Sequence, residues 1–317
     1  TSPRLYKFQA AGERMKPTIL AFGGNALIRE HEIGNYPQHL RNVAAACAGL
    51  KRLVKEGKPF VITHGNGPQV GNLDLQMHAL APKLPSMPLN VEVGMTQGEI
   101  GHLFFLGLKK WFPAAKISIV PTHILVEKKD PAFKHPSKPI GPWYKTKARE
   151  WEANEFMHDS KKGYRRLVPS PQPKTIMELE AIRTLLEEGN IVVACGGGGI
   201  PIVKKSGSYE GVEGVIDNDF ASALLGNQLH ADTLTILTNE KGVCLDYGSK
   251  HPRKLTQLGA REARAHLAHG EFGAGSMQPK IEAALRFLQK GGKRVHIGHT
   301  NETGKVMTGE TGTRIHP

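Results

Sequence analysis

The stretch Phe60-Val-Ile-Thr-His-Gly-Asn-Gly-Pro-Gln-Val-Gly71 is an apolar run that ends in glycines. Two further runs share this form: Thr18–Phe22 stands before Gly23-Gly24-Asn25, and Ile191–Cys195 stands before Gly196–Gly199. A strand that stops at glycines and then begins a helix exposes backbone N–H groups at the positive end of the helix, where anions bind. The pattern therefore predicts several phosphate-binding turns along one edge of one sheet.

The residues between these runs have the spacing of helices. From Tyr36 to Glu56 the apolar positions form one stripe, which predicts a single helix that Gly57 and Pro59 end. Strand, turn, helix and strand in this order form a βαβ unit, hence a parallel sheet buried on both faces. Similar helical stripes at 176–186, 221–225 and 281–288 alternate with predicted strands at 191–195, 233–238 and 294–297. The sequence predicts an α/β fold: an αβα sandwich with an open, mostly parallel central sheet.

Residues about 127–168 interrupt this alternation with prolines, lysines and aromatic residues. A long irregular stretch inside a compact domain usually has a function, so we expect a protruding lid subdomain, with a plain surface insertion as the alternative. Residues 16–317 are expected to form one domain. Residues 1–15 are expected to be an N-terminal extension or an expression remnant, and organelle targeting by 1–14 stays open, although they lack the apolar core of a signal peptide.

Charge and cysteine content narrow the class of partner. The 317-residue chain carries a formal net charge of +13, which favours anionic partners. Its basic pairs are dispersed without aromatic interleaving, which favours small phosphorylated or carboxylated metabolites over nucleic acid. No apolar run approaches the roughly 18 residues of a membrane span, so no membrane partner is expected. Scattered Cys47, Cys195 and Cys244 give neither a disulfide framework nor a metal spacing, and predict a reducing compartment, the cytoplasm.

The absence of established motifs argues against several enzyme classes. The Walker pattern, the protein-kinase set, the His-Glu-x-x-His zinc motif and the serine-hydrolase elbow are absent, and Gly65-x-Gly67-x3-Gly71 is one residue longer than the dinucleotide fingerprint. Phosphoryl transfer fits what remains, because it needs alignment and positive charge rather than covalent help.

Backbone N–H groups and two lysines are the candidates for that chemistry. The turns at Gly23-Gly24 and Gly65–Gly67 are expected to hold the acceptor and the transferring phosphate. Gly196–Gly199 either touches the acceptor or only lets strand and helix pack closely. Lys138 in the expected lid and Lys280, just before a predicted helix, would supply charge, although a lysine taken alone is more often a solvated surface residue.

An ordered series of motifs extends this pattern along the chain. Its members are Gly23–Leu27, Thr63–Gly71, Gln97–Gly101, Lys138–Pro142, Arg165–Pro171, Gly196–Pro201, Gly211–Asp217, Gly275–Met277, Pro279-Lys280 and Gly312-Thr313. In this order they resemble the amino-acid kinase family and, within it, the carbamate kinases, from about residue 17 to the C-terminus.

The resemblance implies a fold and a reaction. An N-terminal lobe of about 16–205, with the lid, would bind the phosphate acceptor, and a C-terminal lobe of about 206–317 would bind the nucleotide. The implied reaction is ATP + carbamate ⇌ ADP + carbamoyl phosphate, which the family often runs toward ATP at the end of arginine or allantoin breakdown. Mg²⁺ would be carried by the nucleotide rather than by protein ligands, and homodimers are usual.

The resemblance also implies roles for individual residues. Substrate binding falls to Gly23, Gly24, Asn25, Gly65, Asn66 and Gly67. Nucleotide binding falls to Asp217, Thr238, Lys241, Tyr247, Ser276 and Met277. Catalytic roles fall to Lys138, Lys280, Asn218 and Asp219, of which Asp219 would orient nearby lysines.

One catalytic position departs from the family pattern. Ile216-Asp217-Asn218-Asp219 carries asparagine where the family has lysine, and losing one charged contact to a transition state can cost about 2–4 kcal/mol. Lys241 is hypothesised to restore the charge from another direction, and Thr96 replaces a family serine. Three alternatives stay open: a working kinase with an altered phosphate clamp, a related kinase for another small acid or nucleotide, and a weak or inactive homologue that binds ligands or partners.

Overall fold

An eight-stranded sheet forms the centre of the protein. The computed structural model describes residues 16–28, 32–81, 83–147, 155–246, 252–272 and 277–317. Neighbouring strands of this sheet pair in parallel, except that β16 and β17 are antiparallel. The strands, numbered in chain order and given in their order across the sheet, are β15 (Gln257–Gly259), β17 (Thr313–His316), β16 (Arg294–His299), β12 (Thr233–Thr238), β1 (Thr18–Phe22), β2 (Phe60–His64), β9 (Asn190–Ala194) and β3 (Lys116–Val120).

Smaller sheets lie around this centre. One four-stranded sheet contains β4 (His123–Leu125), β8 (Thr175–Ile176), β10 (Ile200–Lys205) and β11 (Ser208–Gly211), and one two-stranded sheet contains β13 (Val243–Leu245) and β14 (Arg253–Leu255). A three-stranded antiparallel sheet contains β5 (Lys138–Tyr144), β6 (Phe156–Asp159) and β7 (Gly163–Val168).

The expectation of an irregular stretch at 127–168 is therefore wrong for much of its described part. β5 holds Pro139 and Pro142, which made the segment look irregular, but it is an edge strand of its sheet. Proline lacks an N–H donor and is tolerated at an edge, where one side of the strand needs no ladder partner.

Helices cover both faces of the central sheet. They are α1 (Tyr36–Ala48), α2 (Lys51–Glu56), α3 (Gly67–Leu80), α4 (Leu89–Trp111), α5 (Leu179–Glu187), α6 (Asn218–Gln228), α7 (Ala260–Ala268), α8 (Met277–Gln289) and α9 (Thr303–Thr308). Within the described ranges, each lacks the length or the apolar character of a membrane span.

Two helix boundaries differ from the sequence prediction. The single helix expected over 36–56 breaks between α1 and α2 at Gly49, where the chain passes so close to Thr303 that a Cβ on Gly49 would lie 2.7 Å from the Thr303 Cβ. Ile176, expected in a helix, instead pairs with Ile124 across β8 and β4, and α5 begins at Leu179.

Alternate residues of the strands supply two separate cores. Ile19 and Ala21 of β1 point into one core, which the helices α5 to α8 complete. Leu20 and Phe22 point into the other core, which α1, α2 and α4 complete together with Val306 of α9. Because successive strand residues face opposite sides of a sheet, this division confirms the predicted αβα sandwich.

Candidate active site

The three glycine turns follow β1, β2 and β9, which are neighbours in the sheet, so they share one edge. The first two turns touch backbone to backbone. A Cβ on Gly65 would lie 2.6 Å from the Gly24 nitrogen, and a Cβ on Gly24 would lie 3.1 Å from the Gly67 nitrogen. This approach brings the Gly24, Asn66 and Gly67 N–H groups to one place, whereas the N–H groups of Gly23 and Gly65 donate to the carbonyls of Leu237 and Phe22.

The prediction that each turn starts a helix is correct for the second turn alone. α3 begins at Gly67, but Gly24–Leu27 and Gly196–Gly198 form short 3-10 turns, and β10 follows the third. Gly197, Gly198 and Gly199 have φ of +63°, +82° and +90°, which cannot lead into a right-handed helix. Of the three turns, only the second therefore offers the favourable end of a helix dipole, that of α3.

Close packing accounts for every glycine of the third turn. A Cβ at each position would meet or overlap a neighbouring group, so no larger residue fits. From Gly196 to Gly199, these neighbours are the His64 ring, the Asn66 amide, the Ile216 carbonyl and the Ile124 side chain. Of the two roles considered for this turn, close packing is the one that these contacts explain.

His64 and Asn66 connect the second turn to its surroundings. His64 is buried, its ring stacks on Phe104, and burial lowers its pKa to about 4, so the ring is neutral at pH 7. Asn66 is the N-cap residue of α3, but its side chain makes no capping bond; its Nδ2 donates to Thr96 Oγ1 over 2.8 Å. We call Gly23-Gly24, Gly65–Gly67 and Gly196–Gly199 the acceptor side.

Two lysine–aspartate pairs lie where the three-stranded sheet of β5, β6 and β7 and the helix α8 approach α6. Lys138 Nζ is 2.5 Å from Asp217 Oδ2, and Lys280 Nζ is 2.8 Å from Asp219 Oδ2. Burial alone would lower the pKa of Lys280, but Asp219 and Asp217 outweigh it and raise that pKa, so the ammonium stays charged. Burial acts against ionisation of Asp217 as well, yet Lys138 and Lys280 lower its pKa.

Asn218 lies between these pairs and the acceptor side. Its Nδ2 donates to the Phe22 carbonyl over 3.4 Å, directly before Gly23, and Ser222 Oγ donates to its Oδ1 over 3.5 Å. Asp217 caps α6, with its Oδ1 accepting from the Asp219 N–H over 2.9 Å. We call Lys138, Asp217, Asn218, Asp219 and Lys280 the phosphate side.

Further contacts join the two sides. A Cβ on Gly67 would lie 3.6 Å from the carbonyl oxygen of Pro139, the β5 residue after Lys138. The Ile216 carbonyl, which a Cβ on Gly198 would overlap, directly precedes Asp217. The structure thus brings both sides into one site. It also places Lys280 inside the first turn of α8, not before the helix as expected.

The remaining sequence candidates lie in β12, in α8, in the first 3-10 turn or outside the described residues. Thr238 ends β12, and its carbonyl accepts from Thr300 Oγ1. Met277 is the first residue of α8. Asn25 lies in the first 3-10 turn, where only its backbone is described. Tyr247 and Ser276 lie outside the described residues.

Lys241 lines a pocket of about 620 Å³ together with Lys254, His299 and Arg314. Neither Asn218 nor either lysine of the phosphate side is among the residues that line this pocket. Compensation of Asn218 by Lys241 therefore stays a prediction.

Sequence reasoning missed a polar cluster beside the acceptor side. Arg166 of β7 pairs with Asp74 of α3, and Glu92 of α4 is buried next to them, where burial and then the Asp74 charge raise its pKa to about 7. Thr96, one turn after Glu92, was noted only as a replacement. The available signal was the spacing: Asp74 and Glu92 fall on the buried stripes of α3 and α4.

Comparisons with known proteins show the family to which the chain belongs. The model of the amino acid kinase family matches residues 16–299. A carbamate kinase of Pyrococcus horikoshii is 40% identical over 310 residues, which cover 94% of this chain and 98% of that protein. Carbamate kinase 2 of Staphylococcus aureus is 38% identical over 309 residues, with the same coverage of both proteins.

A solved structure is also similar to this chain. The carbamate kinase from Giardia lamblia bound to AMP-PNP has a TM-score of 0.86 and 37% sequence identity, over 95% of this chain and 98% of that one. Both the family match and these identities extend over nearly the whole chain. The chain therefore belongs to the amino acid kinase family, in the branch that contains these carbamate kinases.

Proposed function

We propose that the chain catalyses the reversible transfer of a phosphoryl group between ATP and carbamate. The observation that carries the proposal is the placement of the acceptor side directly against two lysine–aspartate pairs. Kinship with carbamate kinases along nearly the full chain supports the choice of carbamate as acceptor.

The chemistry places few demands on the protein. A carbamate oxygen attacks the γ-phosphorus, a new P–O bond forms, and the bond to ADP breaks with its electron pair on the β-phosphate oxygen. Carbamate is already an anion, so no general base is required. The obstacle is the repulsion between two anions, which aligned N–H donors and lysines offset.

The acceptor side would hold carbamate and the transferring phosphoryl group through backbone N–H groups. Since Asn66 does not cap α3, the N–H groups of its first turn stay available to an anion. Neutral His64 supports these turns by packing and brings no charge of its own.

The phosphate side would hold the β- and γ-phosphates. Lys138 and Lys280 bring two positive charges, but each is matched by an aspartate at hydrogen-bond distance. The aspartates fix where the ammonium groups lie, so less reorganisation is needed during transfer. Asn218 adds an amide in place of a third cation.

ATP or ADP is the nucleotide substrate, and we propose that Mg²⁺ arrives on its phosphates. No cluster of three potential metal ligands occurs in the part of the chain that the structure describes. Asp219 Oδ1 is buried without a hydrogen-bond partner among the described residues, so one carboxylate oxygen is free to face a hydrated ion. These residues fit an ion that the nucleotide carries, whose chemical contribution would be to neutralise phosphate charge.

We assign the acceptor lobe to residues about 16–205, including a lid at about 127–168, and the nucleotide lobe to about 206–317. The order of the strands supports this division, because β1, β2, β9 and β3 occupy one half of the central sheet while β12, β15, β16 and β17 occupy the other. The site then lies where the halves meet, at β1 and β12.

A second copy of the chain is the partner that we propose for an exposed apolar face on α3 and α4. Val91 and Met95 of α4 are 41% and 44% exposed, and Leu75 of α3 is 42% exposed. Gly98 shares their face of α4, and a Cβ there would meet nothing within 4 Å. A homodimer would cover this surface.

We also propose a cytoplasmic enzyme that serves arginine breakdown in the direction of ATP.

A coupled assay tests the proposed reaction. The protein is mixed with ADP, Mg²⁺ and carbamoyl phosphate, and ATP is read through hexokinase and glucose-6-phosphate dehydrogenase. We expect ATP formation that depends on carbamoyl phosphate and saturates with it. If calorimetry detects nucleotide binding while no ATP forms, the proposed function is wrong and the chain is a binding protein.

A further inference from the structure

Asn66 stands at a helix start without acting as a cap. Asparagine is among the preferred N-cap residues because its side-chain oxygen accepts from the first helical N–H groups. Here no such bond forms, and the side chain turns toward α4 instead. It is 1% exposed and Thr96 is fully buried, so both side chains are held by their surroundings.

The polarity of the hydrogen bonds determines which way the Asn66 amide faces. The Val93 carbonyl can only accept, so the Thr96 hydroxyl, 2.8 Å away, must donate its single proton there. Thr96 Oγ1 is then an acceptor toward Asn66, and the group 2.8 Å away must be the Nδ2 amine. The Oδ1 oxygen therefore faces away from Thr96.

Asn66 Oδ1 receives no hydrogen bond from any residue that the structure describes. Gly197 limits the amide on one side, since a Cβ there would overlap it. The Gly24 nitrogen lies next to Gly65, and the Gly67 nitrogen lies next to Gly24, so the neighbouring backbone groups are N–H donors. A side-chain acceptor among donors suits a ligand that is anionic at one end and carries N–H at the other.

We propose that Asn66 Oδ1 accepts a hydrogen bond from the amino group of carbamate, and that Thr96 is the positioning residue that holds the amide in this orientation. The inference rests on the proposed function and deepens it, because it names the group that distinguishes carbamate from a carboxylate of equal size. A site that hydrogen-bonds a substrate N–H discriminates strongly against an analogue that lacks it.

Two acyl phosphates of nearly the same shape test this inference in the direction of ATP. Carbamoyl phosphate carries NH₂ where acetyl phosphate carries CH₃. We expect Thr96→Val to lower kcat/KM for carbamoyl phosphate by about tenfold, the value of one hydrogen bond, and to change that for acetyl phosphate by less than about threefold. Thr96→Ser retains the hydroxyl and should preserve the native ratio of kcat/KM for carbamoyl phosphate to kcat/KM for acetyl phosphate.

The outcomes separate the inference from the proposed function. If Thr96→Val leaves the ratio of the two kcat/KM values unchanged, whether both fall equally or neither falls, the role of Thr96 and Asn66 is overturned. The proposed function still stands in that case, provided that the native protein makes ATP from carbamoyl phosphate. A native protein that makes ATP from neither substrate overturns the proposed function itself. If Thr96→Val shows no cooperative unfolding transition, Thr96→Ala, which removes the hydroxyl without adding volume, is held to the same ratio.

Discussion

In the proposed reaction, the acceptor side and the phosphate side bind the same kind of group, an anion, by different means. The acceptor side relies on backbone N–H groups. At most of its glycines, neighbouring atoms occupy the space that a side chain would need. The phosphate side relies on charged side chains, with two lysines that are each matched by an aspartate. The motif resemblance implies that the phosphate side alone carries a different residue type, Asn218, where the family has lysine.

This difference shows where each half can change. A backbone donor cannot be mutated away, but its position depends on close packing, so the acceptor side is sensitive to volume. A side-chain charge is removed by one substitution while the fold stays intact, as Asn218 illustrates. The following predictions separate sensitivity to volume from sensitivity to charge.

Removing the Lys280 ammonium should produce the largest effect. Lys280→Met is expected to lower kcat on the order of 10²–10³-fold, since this is the loss when one preorganised charge at a transition state is removed. The control is Lys290→Met, which removes an exposed lysine just after α8 and should leave kcat unchanged. The coupled assay measures both variants.

Stability must be followed in the same experiment. Breaking a buried ion pair leaves Asp219 without its partner and can cost about 3–5 kcal/mol. Rates are therefore compared below the melting temperature of Lys280→Met, which circular dichroism gives. A kcat within threefold of the native value in the folded variant would contradict a role for Lys280 in transfer.

Adding a methyl group in the third glycine turn should produce the next largest effect. Gly198 and Gly207 have nearly equal φ, +82° and +83°, but only at Gly198 would a Cβ overlap another atom, the Ile216 carbonyl oxygen. Both alanine variants share a conformational cost of roughly 1–2 kcal/mol. Gly198→Ala should lose about 1–3 kcal/mol more through overpacking, and some activity, because Ile216 precedes Asp217.

Urea unfolding of Gly198→Ala and of its matched control Gly207→Ala measures this difference directly. Equal losses of unfolding free energy would mean that the backbone conformation alone requires glycine at 198. Closeness of packing would then no longer explain the acceptor side.

How much of this structure the sequence predicts depends on how far apart in the chain the interacting residues lie. Local apolar spacing predicts the bounds of β1 and β12, and the glycine runs predict which strand ends form the site. The close contact between Gly49 and Thr303 was not predictable, because the two residues lie more than two hundred positions apart in the chain. The packing role of Gly196–Gly199 likewise depends on partners from β2 and from the loop before α6.

The catalytic candidates divide in the same way. Motif resemblance identifies Lys138, Lys280 and the two aspartates, but which lysine pairs with which aspartate depends on tertiary structure. Glu92 carries no motif, and its raised pKa arises from burial. A sequence pattern contains a residue's type and spacing, whereas electrostatic environment requires the fold.

Restoring the family lysine should increase activity. The Asn218 side chain makes only long hydrogen bonds, of 3.4 and 3.5 Å, and the short bond from Ser222 Oγ goes to its backbone carbonyl, so replacing the side chain sacrifices little. Asn218→Lys is expected to raise kcat/KM by about ten- to a hundredfold, through one added charge near the phosphates. Asn218→Met supplies similar length without charge and should give no gain.

The same variant tests compensation by Lys241. If Lys241 now supplies the missing charge, Lys241→Ala should lower kcat/KM more in the native background than in Asn218→Lys, a non-additivity that a double-mutant cycle measures. Equal losses in the two backgrounds would exclude compensation. No gain from Asn218→Lys would show that the phosphate side already works without a third cation.

The smallest expected effect concerns the stability of the acceptor side. Glu92 lies one turn before Thr96, facing Asp74 of α3, Arg166 of β7 and Glu213 of the loop after β11. Burial, helped by Asp74 and Glu213 and opposed by Arg166, raises its pKa from 4.5 to about 7. A carboxyl whose pKa is higher in the folded state stabilises the protein most below pH 4.5, and this contribution is lost as the pH rises through 7.

Glu92→Gln keeps the shape of the side chain and removes this titration. The melting temperature of the native protein should therefore fall relative to that of Glu92→Gln between pH 5 and pH 8, with the change centred between 4.5 and 7. Glu187→Gln, which changes an exposed carboxyl at the end of α5, serves as control and should follow the native curve. If Glu92→Gln also follows it, the Glu92 carboxyl stays ionised beside Arg166, and the acceptor side would then rest on a buried charge network much like the phosphate side.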